Sequence, residues 1–251
     1  MISIIALLIG ILLPALGNAR RSAQRVLDAN NQRQIGYAAT YYANDNDGYV
    51  PRESVGRYSD NPSNRYANRP PWGVVLRSYL DPDLEPGYWW DIDNHDRFED
   101  VEYFRDPSRP LDEHRINYVV NGFSFIRRGE VDDGTLSDSD LRKPATRISN
   151  AANAATAIYL TNLAEDQDGS FARQIDYRHD LSTVALYDLF HPEQVDGTDT
   201  STMRVAPAWY SSGPNCLFFD LHVSLVDADK IRDVNTWDDG DYTWHRFVTS
   251  Q

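Results

Sequence analysis

The sequence predicts an α+β protein: one long N-terminal α-helix packed on an antiparallel β-sheet with long loops. Three observations carry this expectation. Residues 2–16 form an uncharged apolar run at the N-terminal end. The residues after that run keep apolar side chains at spacings of three and four, which is the helical repeat. The rest of the 251-residue chain is polar and acidic, with short strand-like apolar patterns between stretches rich in Asn, Asp, Gly and Pro. The expected division is a hydrophobic then amphipathic helix at 1–43 and one α+β globular domain at 44–251.

The helix is read from about Ser3 to Ala43, a length of roughly 60 Å. Ile2, Ile4, Ile5, Leu7, Leu8, Ile9, Ile11, Leu12, Leu13 and Leu16 make its first part apolar all round. Pro14 lies inside it and, by removing one backbone donor, is expected to kink it. The run is short for a bilayer, which takes about 20 apolar residues. A signal-peptide core fits on length, but such a core follows its positive charge. Here Arg20 and Arg21 come after the run, and the helical pattern continues through Ala19, Ala23, Val26, Leu27, Ile35, Ala38, Ala39 and Tyr42. A segment of this kind is expected to be buried in lipid or against copies of itself.

Further along, residues 44–71 read as loop. Trp72, Val75, Leu76 and Tyr79 have helical spacing, and Asp81-Pro82 ends that helix. Residues 88–104 mix aromatic and acidic side chains without a clear period. Ile116 to Asn121 is a strand candidate, with a turn at Gly122. Asp132-Asp133-Gly134 is a turn, and Asp138 to Lys143 a single helical turn. Ala154 to Leu160 reads as a strand on its Thr, Ile and Tyr. Residues 171–210 hold a variable insertion whose most ordered piece is Val184 to Tyr187. Cys216 to Phe219 and His222 to Val226 read as a β-hairpin, and Asp227 to Ile231 as a short helix.

Charge excludes one class of partner. Thirty-eight acidic residues against 24 basic ones give a formal charge of −14, which is unsuited to nucleic acid, whose phosphates need a basic surface. No cofactor is expected, and calcium is the one ion weighed. Asp45-Asn-Asp-Gly48 and Asp166-Gln-Asp-Gly169 alternate oxygen ligands before a Gly, but Ser54 and Ile175 stand where the closing Glu of an EF-hand would be. Asp238-Asp-Gly-Asp241 is similar in composition alone. A solvated turn is the preferred reading of the first two. No catalytic residue is assigned. His179-Asp180, Asp220 and His222 could suggest a hydrolase or a metal site, but no second His lies at ligand spacing. Trp89-Trp90 beside Asp91 and Asp93 could stack on sugar rings, and packing is the preferred reading. Cys216 stands alone in the chain, so no intramolecular disulfide is expected; it reads as a small buried hydrophobe.

Four blocks carry a family resemblance. They are Ile2-Ser-Ile-Ile-Ala-Leu-Leu-Ile-Gly-Ile-Leu-Leu-Pro-Ala-Leu16, Ala29 to Gly36, Tyr42 to Pro51, and Gly213 to Val226. Together they resemble the type IV pilin and type II secretion pseudopilin superfamily. The last block is similar to the C-terminal signature of bacterial pilin-like proteins named for a His, nine residues and an Asp-Gly. Asn215, Leu217, Phe218, Asp220, His222 and Val223 carry that hairpin signature. The resemblance implies a pilin-like fold and a non-enzymatic filament subunit of a type IV pilus or a secretion pseudopilus. It implies a single-pass inner-membrane anchor with an extracytoplasmic domain. The implied partners are copies of itself or other pilins and pseudopilins, inner-membrane lipid, an assembly platform and a prepilin peptidase. Val26, Ile35, Ala38, Ala39 and Tyr42 would then hold the sheet on the helix. The alternative is a membrane-anchored extracytoplasmic module that binds carbohydrate or a surface polymer through aromatic loops.

The chain departs from the pattern at several positions. Met1 stands where the family usually has Val, and the family's peptidase site and assembly glutamate would lie before it. The favoured expectation is a start placed downstream of the natural one. Tyr210 occupies the place of the signature His, and Leu221 that of the Gly. A non-glycine residue costs roughly 1–2 kcal/mol in the left-handed conformation of such a turn, so a different turn or a bulge is expected. Where the family often carries Cys, in the helix and before a Pro-Ser pair, this chain has Asp28 and Asp106.

Overall fold

The computed structural model describes residues 2–51, 72–81, 101–110, 116–121, 148, 151, 153–164, 185–186, 195 and 203–237. Helix α1 runs from Ile2 to Asp45, 44 residues without a break, and passes through Pro14. It ends where the backbone turns left-handed at Asp47 (φ 52°) and Gly48 (φ 82°). There the Gly48 N–H donates to the Ala43 carbonyl at 2.7 Å, which satisfies a carbonyl left free at the helix end. A second helix, α2 (Trp72–Leu80), matches the spacing of its apolar residues. It packs on α1, with Tyr42 and Tyr79 edge to face at 6.0 Å.

Five strands follow: β1 (Tyr118–Asn121), β2 (Ile158–Asn162), β3 (Ala185–Leu186), β4 (Asn215–Phe218) and β5 (Val223–Leu225). They form one sheet in the order β3-β1-β2-β4-β5. Four of them pair antiparallel as expected, and β3 departs from that expectation by running parallel to β1. The chain reverses between β1 and β2 and again before β3, so a strand added at the free edge of β1 points the same way as β1. β2 begins later than predicted, because residues 153–157 form a turn in which the Thr156 N–H bonds the Asn153 carbonyl. The alanines go to that turn, and the strand starts at the first β-branched residue beyond it. β2 is central and buried along its whole length. A short helix, α3 (Ala228–Arg232), and a 3-10 turn at Val234–Thr236 follow, and Trp237 is buried after them.

The sheet holds the second half of α1. Asp28, Asn31, Gln32, Ile35, Ala38, Ala39 and Ala43 are buried at spacings of three and four, so one helix face is covered. Tyr42 is partly buried beside them. Val26, expected on this face, is 64% exposed. At 100° per residue it lies about 160° around the helix from Asp28, on the far side. The polar Asp28 and Gln32 take the inner face in its place. Gly36 marks the closest approach of helix and sheet: a Cβ there would lie 3.1 Å and 3.3 Å from the methyls of Leu217 and 3.4 Å from Leu221. Gly36→Leu is therefore expected to push the helix off β4 and cost about 1–3 kcal/mol. Urea unfolding measures it, and an unchanged midpoint would remove this account of the glycine.

The hairpin between β4 and β5 has a three-residue loop of Phe219, Asp220 and Leu221. Leu221 N–H donates to the Phe218 carbonyl at 2.9 Å, and Phe218 N–H to the His222 carbonyl at 3.0 Å. This is a turn followed by a left-handed bulge residue, and Leu221 takes that position with φ 71°. The strain has a counterpart in packing, since the Leu221 side chain lies against α1 at Gly36.

Candidate assembly helix and the buried joint behind it

Residues 3–23 of α1 are all exposed. Ile4, Ile5, Leu7, Leu8, Ile9, Ile11, Leu12, Leu13 and Leu16 present their side chains to no other part of the described chain, and Pro14 sits among them. Nothing is described for the side chain of Ile2. By length and composition α1 is able to cross a membrane. The Arg21 guanidinium donates to the Asn18 side chain one turn back and marks the polar end of the run.

The exposed apolar surface continues along the half of α1 that carries the domain. Val26, Leu27, Tyr37 and Tyr41 are each more than half exposed. Taken at 100° per residue, they fall within an arc of about 100°. One face of α1 thus packs on the sheet while another stays apolar and uncovered.

Directly behind the apolar run, α1 meets the sheet through a buried polar joint. Its centre is Asp28, fully buried. Asp28 Oδ1 accepts from the Tyr118 hydroxyl and from Asn162 Nδ2, both at 2.8 Å. Oδ2 accepts from Asn215 Nδ2 at 2.6 Å and from Gln32 Nε2 at 3.4 Å. Asn162 Nδ2 also donates to Oδ2 of a second buried carboxylate, Asp106, at 3.0 Å. Asp106 accepts further bonds from the Ser108 N–H, the Trp209 indole and the Tyr210 hydroxyl. The two positions at which the resemblance expects Cys therefore meet, and one Asn amide joins them with its two hydrogens.

The hairpin signature feeds this joint from one end. Asn215 donates to Asp28 and to the Arg25 carbonyl at 2.9 Å, and Leu217 packs on Gly36. Tyr210, in the place of the signature His, reaches Asp106 from a left-handed backbone with φ 50°. The other end of the hairpin is a separate exposed cluster. His222 stacks on Phe218 at 4.2 Å and bonds Asp220 through both its backbone N–H and its ring Nδ1. Val223 is partly buried against the core. The structure thus brings Asp220 and His222 together in a structural contact, while His179 and Asp180 lie outside the described residues.

The calcium candidate at Asp45 to Gly48 is the end of α1. The Asp45 carboxylate accepts from the Tyr79 hydroxyl at 2.9 Å, and Asn46 caps the Tyr42 carbonyl. The loops at 166–169 and 238–241, the Trp89-Trp90 pair and the turns at 122, 132–134 and 138–143 fall outside the described residues. Among the described residues, no group of three or more His, Cys, Asp or Glu could hold a metal ion. Cys216 is fully buried, and burial pushes its thiol well above the ordinary range, as fits an unreactive core residue. Asp106, Asn162, Tyr118 and Gln32 were not foreseen as a cluster. The one signal in the sequence was the pair of aspartates at the two positions where the resemblance expects Cys. No family profile, no curated protein and no solved structure matches the chain.

Proposed function

We propose that this protein is a non-catalytic, pilin-like filament subunit, anchored by α1 in the inner membrane with its domain on the extracytoplasmic side. It passes from lipid into a type IV pilus or secretion pseudopilus by packing α1 against copies of itself or related subunits. Each Ile or Leu of residues 2–16 gains about 1.5–3 kcal/mol by leaving water, and lipid or neighbouring helices can supply that burial. Head-to-tail association of such helices is open-ended and generates a fibre. The observation that favours a filament over a plain anchor is the apolar arc at Val26, Leu27, Tyr37 and Tyr41. An anchor alone has no use for an apolar face beyond the lipid-sized run.

Cross-linking in cells tests this reading. With Leu8→Cys or Tyr41→Cys, oxidation of membranes is expected to give a ladder of cross-linked species. Tyr37→Asp with Tyr41→Asp should abolish the ladder while changing the stability of the domain by no more than about 0.5 kcal/mol, because both sites are exposed. Monomer alone at every position would favour the membrane-anchored binding module.

A further inference from the structure

We propose that Asp28, buried against Asp106, makes a pH-sensitive joint between helix and sheet, tight while Asp28 holds a proton and looser once the proton is lost. The geometry carries this. Both carboxylates are buried, and each lies within hydrogen-bond reach of the same Asn162 nitrogen, at 2.8 Å and 3.0 Å. Their facing oxygens are therefore no more than about 6 Å apart, a range in which like charges in a protein interior oppose each other's ionisation.

The surroundings give neither aspartate an ion pair among the described residues. From α1 come Gln32, which donates to Asp28, and the Arg25 carbonyl, which is taken by Asn215. From β1 comes the Tyr118 hydroxyl, from β2 Asn162, and from β4 Asn215, with the Cys216 thiol next along the strand. From the 105–109 segment come Asp106 itself and the Arg105 carbonyl, which accepts from Asn31. The Arg109 guanidinium lies over the Trp209 ring at 5.1 Å. From the 209–210 turn come the Trp209 indole and the Tyr210 hydroxyl. Burial first, and then the two aspartates, push the hydroxyls of Tyr118 and Tyr210 above their ordinary range, so both remain donors. Neither aspartate makes an ion pair within this set. A proton on Asp28 is the positive charge that this site can take up.

Burial, and secondly the Asp106 charge, raise the Asp28 carboxyl to about 7, against the opposing pull of its hydrogen bonds from Asn215, Tyr118 and Asn162. Asp28 lies about 18 Å along the helix from Leu16, packed in the domain and outside the lipid-sized run. A carboxyl raised in the fold binds more protons folded than unfolded between about pH 4 and 7. Its contribution to stability is complete below that window and is lost as pH rises through about 7. The bonds expected to loosen then are those holding the 105–109 segment beside the pair: Asn162 on β2 to Asp106 and, from α1, Gln24 to the Pro107 carbonyl and Asn31 to the Arg105 carbonyl. None of this depends on what the apolar run is buried in.

The test uses the full chain in detergent micelles. Carboxyl carbon NMR should show one Asp resonance, missing in Asp28→Asn, that titrates near pH 7. The urea midpoint of the wild type should be higher at pH 5 than at pH 8, and the difference should shrink at least twofold in Asp28→Asn. Should that variant not fold, the wild-type titration and hydrogen-exchange protection of residues 105–109 at the two pH values still decide. The proposal is overturned if every Asp resonance titrates below about pH 5, or if the wild-type midpoint and protection are the same at both pH values. It is equally overturned if millimolar calcium abolishes the titration, since the pair would then hold a metal and not a proton.

Discussion

Gly213→Ala is expected to abolish the folded domain. Gly213 has φ 134°, and a Cβ built on it would lie 1.8 Å from the Val226 carbonyl oxygen and 2.8 Å from its carbon. No side chain can move aside, because the obstacle is backbone. That backbone is fixed from both ends: Gly213 N–H donates to the Trp209 carbonyl at 2.7 Å, and Val226 N–H to the Pro214 carbonyl at 3.0 Å. To make room the chain would have to break the entry into β4 or the exit from β5. The cost is expected to exceed about 4 kcal/mol, a large share of the 5–15 kcal/mol that holds an ordinary domain together. Circular dichroism and a thermal melt measure it, and a melting point within a few degrees of wild type would refute the steric argument.

The second large effect is expected at Asn162→Leu. Leucine has a similar volume but cannot donate, so Asp28 and Asp106 each lose a hydrogen bond, and both stay buried. Removing one partner from a buried charged group costs about 3–5 kcal/mol. The loss should be greater at pH 8 than at pH 5, because the raised Asp28 carboxyl is protonated on the acid side. Adding Asp28→Leu to Asn162→Leu should cost less than the two single losses together, since the apolar pair removes the stranded charge. Urea unfolding of the three variants at both pH values checks this; strict additivity would show that the residues do not act as one unit.

Much of the frame is legible from local pattern. The helix follows from an apolar run that passes into spacings of three and four. α2 follows from Trp72, Val75, Leu76 and Tyr79, and the hairpin from two short apolar runs around Asp220 and Leu221. The inner face of α1 is less legible, because the sequence places it by apolar residues. In the fold, Asp28, Asn31 and Gln32 are inside while Val26 and Leu27 are outside. The joint itself has no local signature. Its members come from positions 28, 32, 106, 118, 162, 209, 210 and 215, and only the pairing of β1, β2 and β4 on α1 brings them together. A polar residue bound for such a cluster looks, in sequence, like any surface Asn or Asp. The place of β3 is legible in Val184 to Tyr187, but its parallel direction is not, because a two-residue strand takes its direction from the edge it joins.

The uncovered first half of α1 makes the molecule a lever. Residues 3–23 extend roughly 30 Å beyond the first contact with the domain. A pull on the N-terminal end travels along the helix axis as tension and reaches the domain as shear between α1 and β4. The first resistance it meets is the Gln24 bond to the Pro107 carbonyl, followed at once by the hydrogen bonds around Asp28. No covalent link lies behind them among the described residues, where Cys216 is a free thiol. Shear at this interface is therefore opposed by many weak bonds that break and re-form, and the coupling of domain to helix is a yielding one.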